Sequence, residues 1–365
     1  MKKIPNFSRG MGIGGWLTNY KRFNVLPDAW RMPITVGDLE HFAEYITERD
    51  VAYIASLGLD HIRVGFDQIV LEESPFVYRE ETMQELENFV GWCEKYNLRP
   101  VLNLHKSIGN YCDIKEEVTL LDSQELQDRF VALWVELERR FSTHPDVMFE
   151  LLNEVRDVPF AKWNALASRT VAAIRGTNRE RYIVVGGTHW NSPDQLRNMR
   201  LYDDDSIIYT FHNYAPFEFT HQQGVLQASP LYYNRKMPWP CEDIERYRDY
   251  GRLVTGKPDS VPYTRYERMD IGYLRDALSG AVKFVRENPD KILWCGEFGT
   301  IRHAKTEWRE NWMRDMITIL KENDIPYCVW NYLSTPNDGN RFSLVDDDRR
   351  EIVSEEMGRI IRGEV

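Results

Sequence analysis

Two glutamates each follow an apolar run that has the character of a buried β-strand. Glu154 follows the run 147–152, and Glu297 follows the run 292–296. A strand buried on both faces reads as a nearly continuous hydrophobic stretch, so a carboxylate at its end lies at the rim of a sheet. Two carboxylates brought together at such a rim are equipped to cleave a glycosidic bond by acid/base or nucleophilic catalysis.

Other polar or aromatic side chains occupy similar positions near the ends of strand-like runs. They are Arg63, His105, Asn153, His189, Trp190, Asn191, His212, Tyr214, Trp330 and Asn331. Each one has an ordinary structural explanation when it is taken alone. A single histidine in an apolar run is more often a satisfied core residue, and a single arginine often serves an ion pair. Their shared position at strand ends is what indicates a functional site.

Eight strand-like runs alternate with amphipathic segments along the chain. The strand-like runs are 11–16, 61–66, 99–105, 147–152, 181–186, 206–212, 292–296 and 326–331. The helix-like segments are 48–57, 80–96, 123–141, 160–177, 271–288, 307–323 and 350–362. This α/β alternation predicts a single-domain (β/α)8 barrel over residues 1–365, which gathers the strand-end residues around one mouth.

Two long connections interrupt this rhythm. The first, 17–41, follows strand one and contains Tyr20 and Trp30. The second, 213–268, follows strand six and is rich in aromatic residues, which argues against disorder. Long loops in compact domains usually carry function. We therefore predict that 213–268 is a folded flap over the active-site face.

Composition excludes several classes of function. The formal net charge of -11 disfavours nucleic acid and anionic membrane surfaces as partners, since both require a basic footprint. The chain has no apolar run long enough to span a membrane. The glycines from Gly10 to Gly15 interrupt the sequence after Lys2 and Lys3, so no signal peptide is visible. We expect a cytoplasmic protein, or a secreted one if the N-terminus has been processed or replaced.

Neither a cofactor nor a metal is expected. The five cysteines are widely spaced and form no CxxC motif, which disfavours a zinc or redox site and favours reduced thiols. His105, His189 and His212 show neither an HxH nor an HExxH spacing. Gly10, Gly12, Gly14 and Gly15 lack the strand–helix context of a dinucleotide-binding turn.

With these residues in place, the chain resembles glycoside hydrolase family 5, the cellulase family of clan A. The resemblance rests on Asn153-Glu154, on Gly296-Glu297, and on Arg63, His105, His212, Tyr214 and Trp330 in strand order. The stretch 217–222 also resembles the loop after strand six in that family. Lys106 departs from the family pattern, in which a second histidine or a small polar group often follows His105.

The resemblance implies a role for each site residue. Glu154 is expected to be the general acid/base and Glu297 the nucleophile of a retaining double displacement. The expected substrate-binding residues are Arg63, His105, Asn153, Trp190, His212, Tyr214 and Trp330. A cation such as Arg63 beside Glu297 would favour its charged form. A retaining enzyme is expected to hold its carboxyl groups about 5–5.5 Å apart.

The substrate follows less directly from the sequence. An endo-acting β-1,4-glucanase is preferred by analogy with the family, and the partner is then a β-linked oligo- or polysaccharide. An exo-acting β-glucosidase, a β-mannanase or a xyloglucanase is the alternative. A barrel that binds carbohydrate without catalysis is the non-enzymatic alternative. The sequence does not give the oligomeric state.

Overall fold

Eight parallel strands close into a barrel in the computed structural model, which describes residues 2–18, 34–111, 118–226, 233–255, 263–335 and 338–365. The strands are β1 (Arg9–Leu17), β2 (His61–Asp67), β3 (Arg99–Lys106), β4 (Met148–Glu150), β5 (Ile183–Gly186), β6 (Ile207–Asn213), β7 (Ile292–Phe298) and β8 (Tyr327–Val329). Each strand pairs with its neighbours in chain order, and β1 closes the ring against β8. The predicted (β/α)8 fold is confirmed.

Helices connect the strands along the outside of the barrel. The helices within the described ranges are Val36–Glu44, Glu48–Ser56, Gln68–Leu71, Glu80–Lys95, Gln124–Arg140, Phe160–Arg175, Phe217–Thr220, Glu245–Thr255, Ile271–Ala277, Ser279–Glu287, Thr306–Glu322 and Glu355–Ile361, with a 3-10 helix at Pro193–Asn198. A hairpin of Glu72–Ser74 and Val77–Tyr78 follows β2. Ser123 caps the helix that follows it, since its hydroxyl accepts a hydrogen bond from the Leu126 backbone.

Two predicted helices are wrong in detail. The segment 271–288 forms two helices that break at Leu278, and the second packs on the 3-10 helix, where Gly280 approaches the backbone of Pro193. The last helix begins at Glu355 rather than at residue 350. Just before this helix, Ile352 forms an isolated antiparallel β-bridge with Val345, so the chain is still extended at that point.

The barrel interior changes from apolar to polar along the strands. Val101, Met148, Val184, Ile208 and Ile292 form an apolar cluster inside the barrel, against which Ile4 and Phe7 of the N-terminal segment pack. Because side chains alternate along a strand, the residue two positions after each inward side chain also points inward. Two positions after Met148 comes Glu150, and it is fully buried.

The segment 213–268 is folded wherever the structure describes it. Trp239 and Tyr247 are buried, and Trp239 donates a hydrogen bond to Asp315 of helix Thr306–Glu322. Gln222 ties two parts of the segment together through hydrogen bonds with both backbone groups of Met237. Tyr20 and Trp30 of the first long connection, and Tyr232 of the second, lie outside the described residues.

Cys93, Cys241, Cys295 and Cys328 are buried and are not joined in disulfides, whereas Cys112 lies outside the described residues. Within the ranges that the structure covers, no helix combines the length and apolar character needed to cross a bilayer.

Candidate active site

Arg63 of β2 is the centre of a buried ion-pair network at the barrel mouth. Its Nε and Nη2 atoms donate to both carboxylate oxygens of Glu150, at 2.5 and 2.9 Å. Nη1 donates to Glu297, and Nη2 also donates to Asn153 Oδ1 at 2.7 Å. Burial opposes the charge, but Glu150 and Glu297 raise the pKa of Arg63 and keep it protonated. Arg63 thus holds two carboxylates and one amide in fixed positions.

Glu297 lies at the end of β7 and accepts hydrogen bonds from two sides. The Tyr214 hydroxyl donates to its Oε2 at 2.9 Å, and Arg63 contacts its Oε1. Burial raises the pKa of Glu297 above its usual value, while Arg63 and the Tyr214 hydroxyl act in the opposite direction. Arg63 favours the charged form of Glu297, as expected. The effect of burial on the pKa is larger, so the pKa of Glu297 is raised overall.

Glu154 is partly buried and meets His212 of β6. The His212 Nδ1 atom lies 2.9 Å from Glu154 Oε1 and 3.7 Å from Glu297 Oε2. Asn191 Nδ2 lies 3.3 Å from the other ring nitrogen and donates to it, so Nδ1 carries the proton and donates to Glu154. Burial lowers the pKa of His212 to about 4, so the ring is neutral at higher pH.

The two carboxylates are close enough for a covalent mechanism. One oxygen of Glu154 and one of Glu297 lie within 4.8 Å of each other. Inverting glycosidases separate their carboxyl groups by roughly 6.5–9.5 Å to leave room for water, whereas retaining enzymes use about 5–5.5 Å. The distance between the nearest oxygens therefore agrees with the retaining arrangement.

The same two carboxylates and His212 Nδ1 are also close enough to surround a metal ion. The hydrogen bonding argues against such a use, since the Nδ1 atom that would bind the ion is the one that donates to Glu154. His189 is not part of this group, because it lies at the surface beside Asp157. The absence of a metal stays a prediction.

Trp330, just after β8, forms an aromatic wall of the site, and its position depends on glycines in β1. A Cβ atom on Gly12 or Gly14 would lie within 2.7 Å of the Trp330 ring. The glycines that make β1 a weak strand by sequence therefore create the space for this indole. His105 stacks parallel to Trp330, with an interplanar angle of 5° and centroids 5.6 Å apart, and its Nδ1 contacts Asn103.

These side chains surround a cleft of about 1050 Å³. Glu154, Glu297, His105, Asn153, His212, Tyr214, Trp190 and Trp330 all line it. Trp190 is 43% exposed and lies in a turn of three residues with left-handed backbone conformation. The backbone N–H of Trp190 donates a hydrogen bond to the Val155 carbonyl, which holds this turn in place. Arg63 is 0% exposed, so it lies beneath the carboxylates instead of at the cleft surface that a sugar would touch.

The segment 213–268 contributes a wall of the same cleft. Phe217, Glu218, His221 and Tyr263 line it together with Tyr214. Asn340, in the loop after β8, accepts hydrogen bonds from the backbone of 225 and 226, which fixes the segment to that loop.

Comparison with known proteins identifies the family. The model of the family described as "Cellulase (glycosyl hydrolase family 5)" matches residues 28–335. The chain belongs to glycosyl hydrolase family 5. It is therefore a glycoside hydrolase, and the resemblance seen in the sequence is confirmed.

Relatives match most of the length of this family 5 chain. Endoglucanase C of Acetivibrio thermocellus is 35% identical over 98% of both chains. Cellodextrinase A of Ruminococcus flavefaciens is 28% identical over 89% of this chain and 85% of its own. Among solved structures, Thermotoga maritima Cel5A in complex with mannotriose superposes with a TM-score of 0.71 at 20% identity, covering 97% of each chain. That structural likeness supports the barrel fold.

Three residues that hold or line the site were not selected by sequence reasoning. They are Glu150, Glu218 and His221, of which the last two fall in the stretch 217–222 that resembles the family's loop after strand six. A charged residue inside an apolar strand is a signal for Glu150, because such a charge must have a buried partner. Asn191 was noted only for its position near a strand end, and its contact with His212 depends on the fold.

Proposed function

We propose that this protein is a retaining endo-β-1,4-glucanase, in which Glu297 is the nucleophile and Glu154 the general acid/base. The observation that carries the proposal is the pair of carboxylates within 4.8 Å of each other, only one of which is paired directly with Arg63. Two carboxylates this close repel each other when both are ionised, so the pair favours a single proton. The direct contact with Arg63 supports a negative charge on Glu297 and a proton on Glu154.

This assignment gives a balanced two-step reaction. In the first step, Glu297 attacks the anomeric carbon while Glu154 transfers its proton to the departing glycosidic oxygen. In the resulting ester Glu297 carries no charge, so the two groups no longer repel each other. Glu154 has given up its proton and is now a carboxylate. In the second step, Glu154 accepts a proton from water, the water oxygen attacks the same carbon, and the Glu297 carboxylate leaves. Two displacements at one carbon retain the anomeric configuration.

The remaining side chains act as supports in this proposal. Arg63 fixes the Oδ1 end of Asn153, so the amide N–H2 end is the donor for a sugar hydroxyl. His212 donates to Glu154, and Tyr214 donates to Glu297. Trp330 and Trp190 offer apolar ring faces in the cleft on which sugar rings stack. The segment 213–268 serves as the flap over this face.

The preference for internal bonds of a β-1,4-glucan rests on similarity to Endoglucanase C at 35% identity. Exo-action on short oligosaccharides is the second candidate, and similarity to Cellodextrinase A favours it. A mannan or xyloglucan substrate stays a further alternative. A cytoplasmic location also stays a prediction, and it agrees with four free cysteines.

A single assay separates these candidates. Purified protein is incubated with carboxymethylcellulose, mannan, xyloglucan and cello-oligosaccharides, and viscosity and reducing ends are followed together. We expect a rapid fall in the viscosity of carboxymethylcellulose while few reducing ends have formed. Release of sugar from cello-oligosaccharides without loss of polymer viscosity would favour the exo-enzyme. No product from any of these glycans would contradict the proposal.

A further inference from the structure

A short helix in the segment 213–268 presents two polar side chains to the cleft. Glu218 lies in the helix Phe217–Thr220, and His221 follows at its end, so the two are three residues apart. That spacing places side chains on one side of a helical turn. Both residues line the cleft, and they are only 8% and 6% exposed.

The hydrogen bonds around His221 determine which ring nitrogen is an acceptor. The Thr220 hydroxyl donates to the Tyr214 backbone carbonyl at 2.6 Å, so its hydrogen is already used. His221 Nδ1, 2.9 Å from that hydroxyl oxygen, must therefore be the donor between them. Nε2 then carries the lone pair of a neutral imidazole. It has no partner among the described residues and is not sealed from solvent.

Aromatic packing holds the His221 ring in this orientation. Phe217 stacks on its face, with centroids 4.0 Å apart and an interplanar angle of 14°. Phe342 and Tyr214 meet it edge-on at 5.0 and 5.3 Å. Burial lowers the pKa of His221 to about 3, so the ring remains a neutral acceptor at any ordinary working pH.

Glu218 is fixed in a comparable way. The Tyr263 hydroxyl donates to Glu218 Oε1 at 2.6 Å. The second oxygen, Oε2, makes no hydrogen bond to another side chain in the part of the chain that the structure describes. Tyr263 also lines the cleft, so the carboxylate is anchored at one oxygen and available at the other.

We propose that Glu218 and His221 form an additional substrate-binding subsite, in which Glu218 Oε2 and His221 Nε2 accept hydrogen bonds from hydroxyl groups of a bound β-glucan. Sugar hydroxyls are the donors that fit two acceptors fixed in advance, because neither side chain must lose further conformational freedom on binding. Aromatic faces beside the acceptors match the apolar faces of a pyranose ring. The inference rests on the proposed function, since it assumes that a β-glucan occupies this cleft.

Calorimetry tests the subsite separately from turnover. Binding of cellotetraose is measured by titration calorimetry on Glu297→Gln protein, in which hydrolysis is blocked. Adding His221→Phe keeps an aromatic ring against Phe217 but removes the acceptor, and adding Glu218→Gln keeps the shape but removes the charge. We expect each addition to raise the Kd about tenfold, the effect of losing one good hydrogen bond to a buried group.

Tyr233→Phe is the matched control, because it removes an exposed hydroxyl of the same segment that donates to the Arg246 backbone. It should leave the Kd unchanged, and near-ultraviolet circular dichroism establishes that each variant is folded. If His221→Phe does not fold, the isosteric Glu218→Gln decides the question. If the folded variants bind cellotetraose with an unchanged Kd, the subsite is overturned. If the Glu297→Gln parent binds no cellotetraose and the wild-type enzyme is inactive on β-glucan, the proposed function is overturned instead.

Discussion

Replacing Tyr214 by phenylalanine should shift the pH dependence of catalysis in a defined direction. The Tyr214 hydroxyl donates to Glu297 Oε2 at 2.9 Å, and this hydrogen bond is one of the contacts that lower the pKa of Glu297 against the effect of burial. The variant keeps the aromatic ring, which packs edge-on against His221 and Phe342. It therefore removes the hydrogen bond with little change in packing.

The size of the shift follows from the strength of that bond. A hydrogen bond to a buried charged group is worth roughly 1.5–3 kcal/mol, and a shift of one pKa unit corresponds to about 1.36 kcal/mol. Glu297 must be ionised to attack, and loss of the donor destabilises its ionised form. The pKa of Glu297 should rise by roughly one to two units, so activity should be lost at a higher pH as the solution is acidified.

The assay is kcat/KM against pH on an aryl β-cellobioside, whose activated leaving group makes attack by Glu297 the step that is observed. We expect the acidic limb of the profile to move upward by about one to two pH units in Tyr214→Phe, with partial recovery of activity at neutral pH. An acidic limb that stays in place, or that moves to lower pH, would refute the view that this hydroxyl stabilises the charged nucleophile.

Three further substitutions test other parts of the site. Glu154→Gln should lower kcat on cello-oligosaccharides by roughly 100-fold or more while sparing the first step on an aryl cellobioside, as a pre-steady-state burst would show. Gly14→Ala should displace Trp330 and lower kcat/KM on the order of 100-fold, whereas Gly91→Ala, where a methyl group meets open space, should leave kcat/KM unchanged. Glu150→Gln should lower the free energy of unfolding by about 3 kcal/mol in urea titrations, since it breaks a buried ion pair.

The sequence predicts the barrel well because its strands are buried on both faces. Seven of the strands are apolar runs that alternate with amphipathic helices, and this pattern has few solutions other than a (β/α)8 barrel. The weakness of β1 has a physical cause that the sequence does not reveal. Gly12 and Gly14 are required by the indole of Trp330, which is more than 300 positions away in the chain.

The residues at strand ends could be selected from the sequence, but most of their partners could not. Arg63 was expected beside Glu297, and the structure adds Glu150 as its second carboxylate. That partner lies within the apolar run 147–152, four positions before Glu154, and reasoning from the residues that follow such runs does not select it. His221 and Glu218 fall in the stretch 217–222, which resembles the family's loop after strand six, but only the tertiary structure reveals that both side chains face the cleft.

The central claim is that Glu297 forms a covalent bond with the sugar. It is tested by incubating the enzyme with an aryl 2-deoxy-2-fluoro-β-cellobioside, which slows the second step, and locating the label by mass spectrometry after digestion. We predict one cellobiosyl group per protein, attached to Glu297 and absent from Glu297→Gln protein. Label attached to Glu154, or complete hydrolysis of an ordinary substrate with inverted configuration and no labelled intermediate, would contradict the claim.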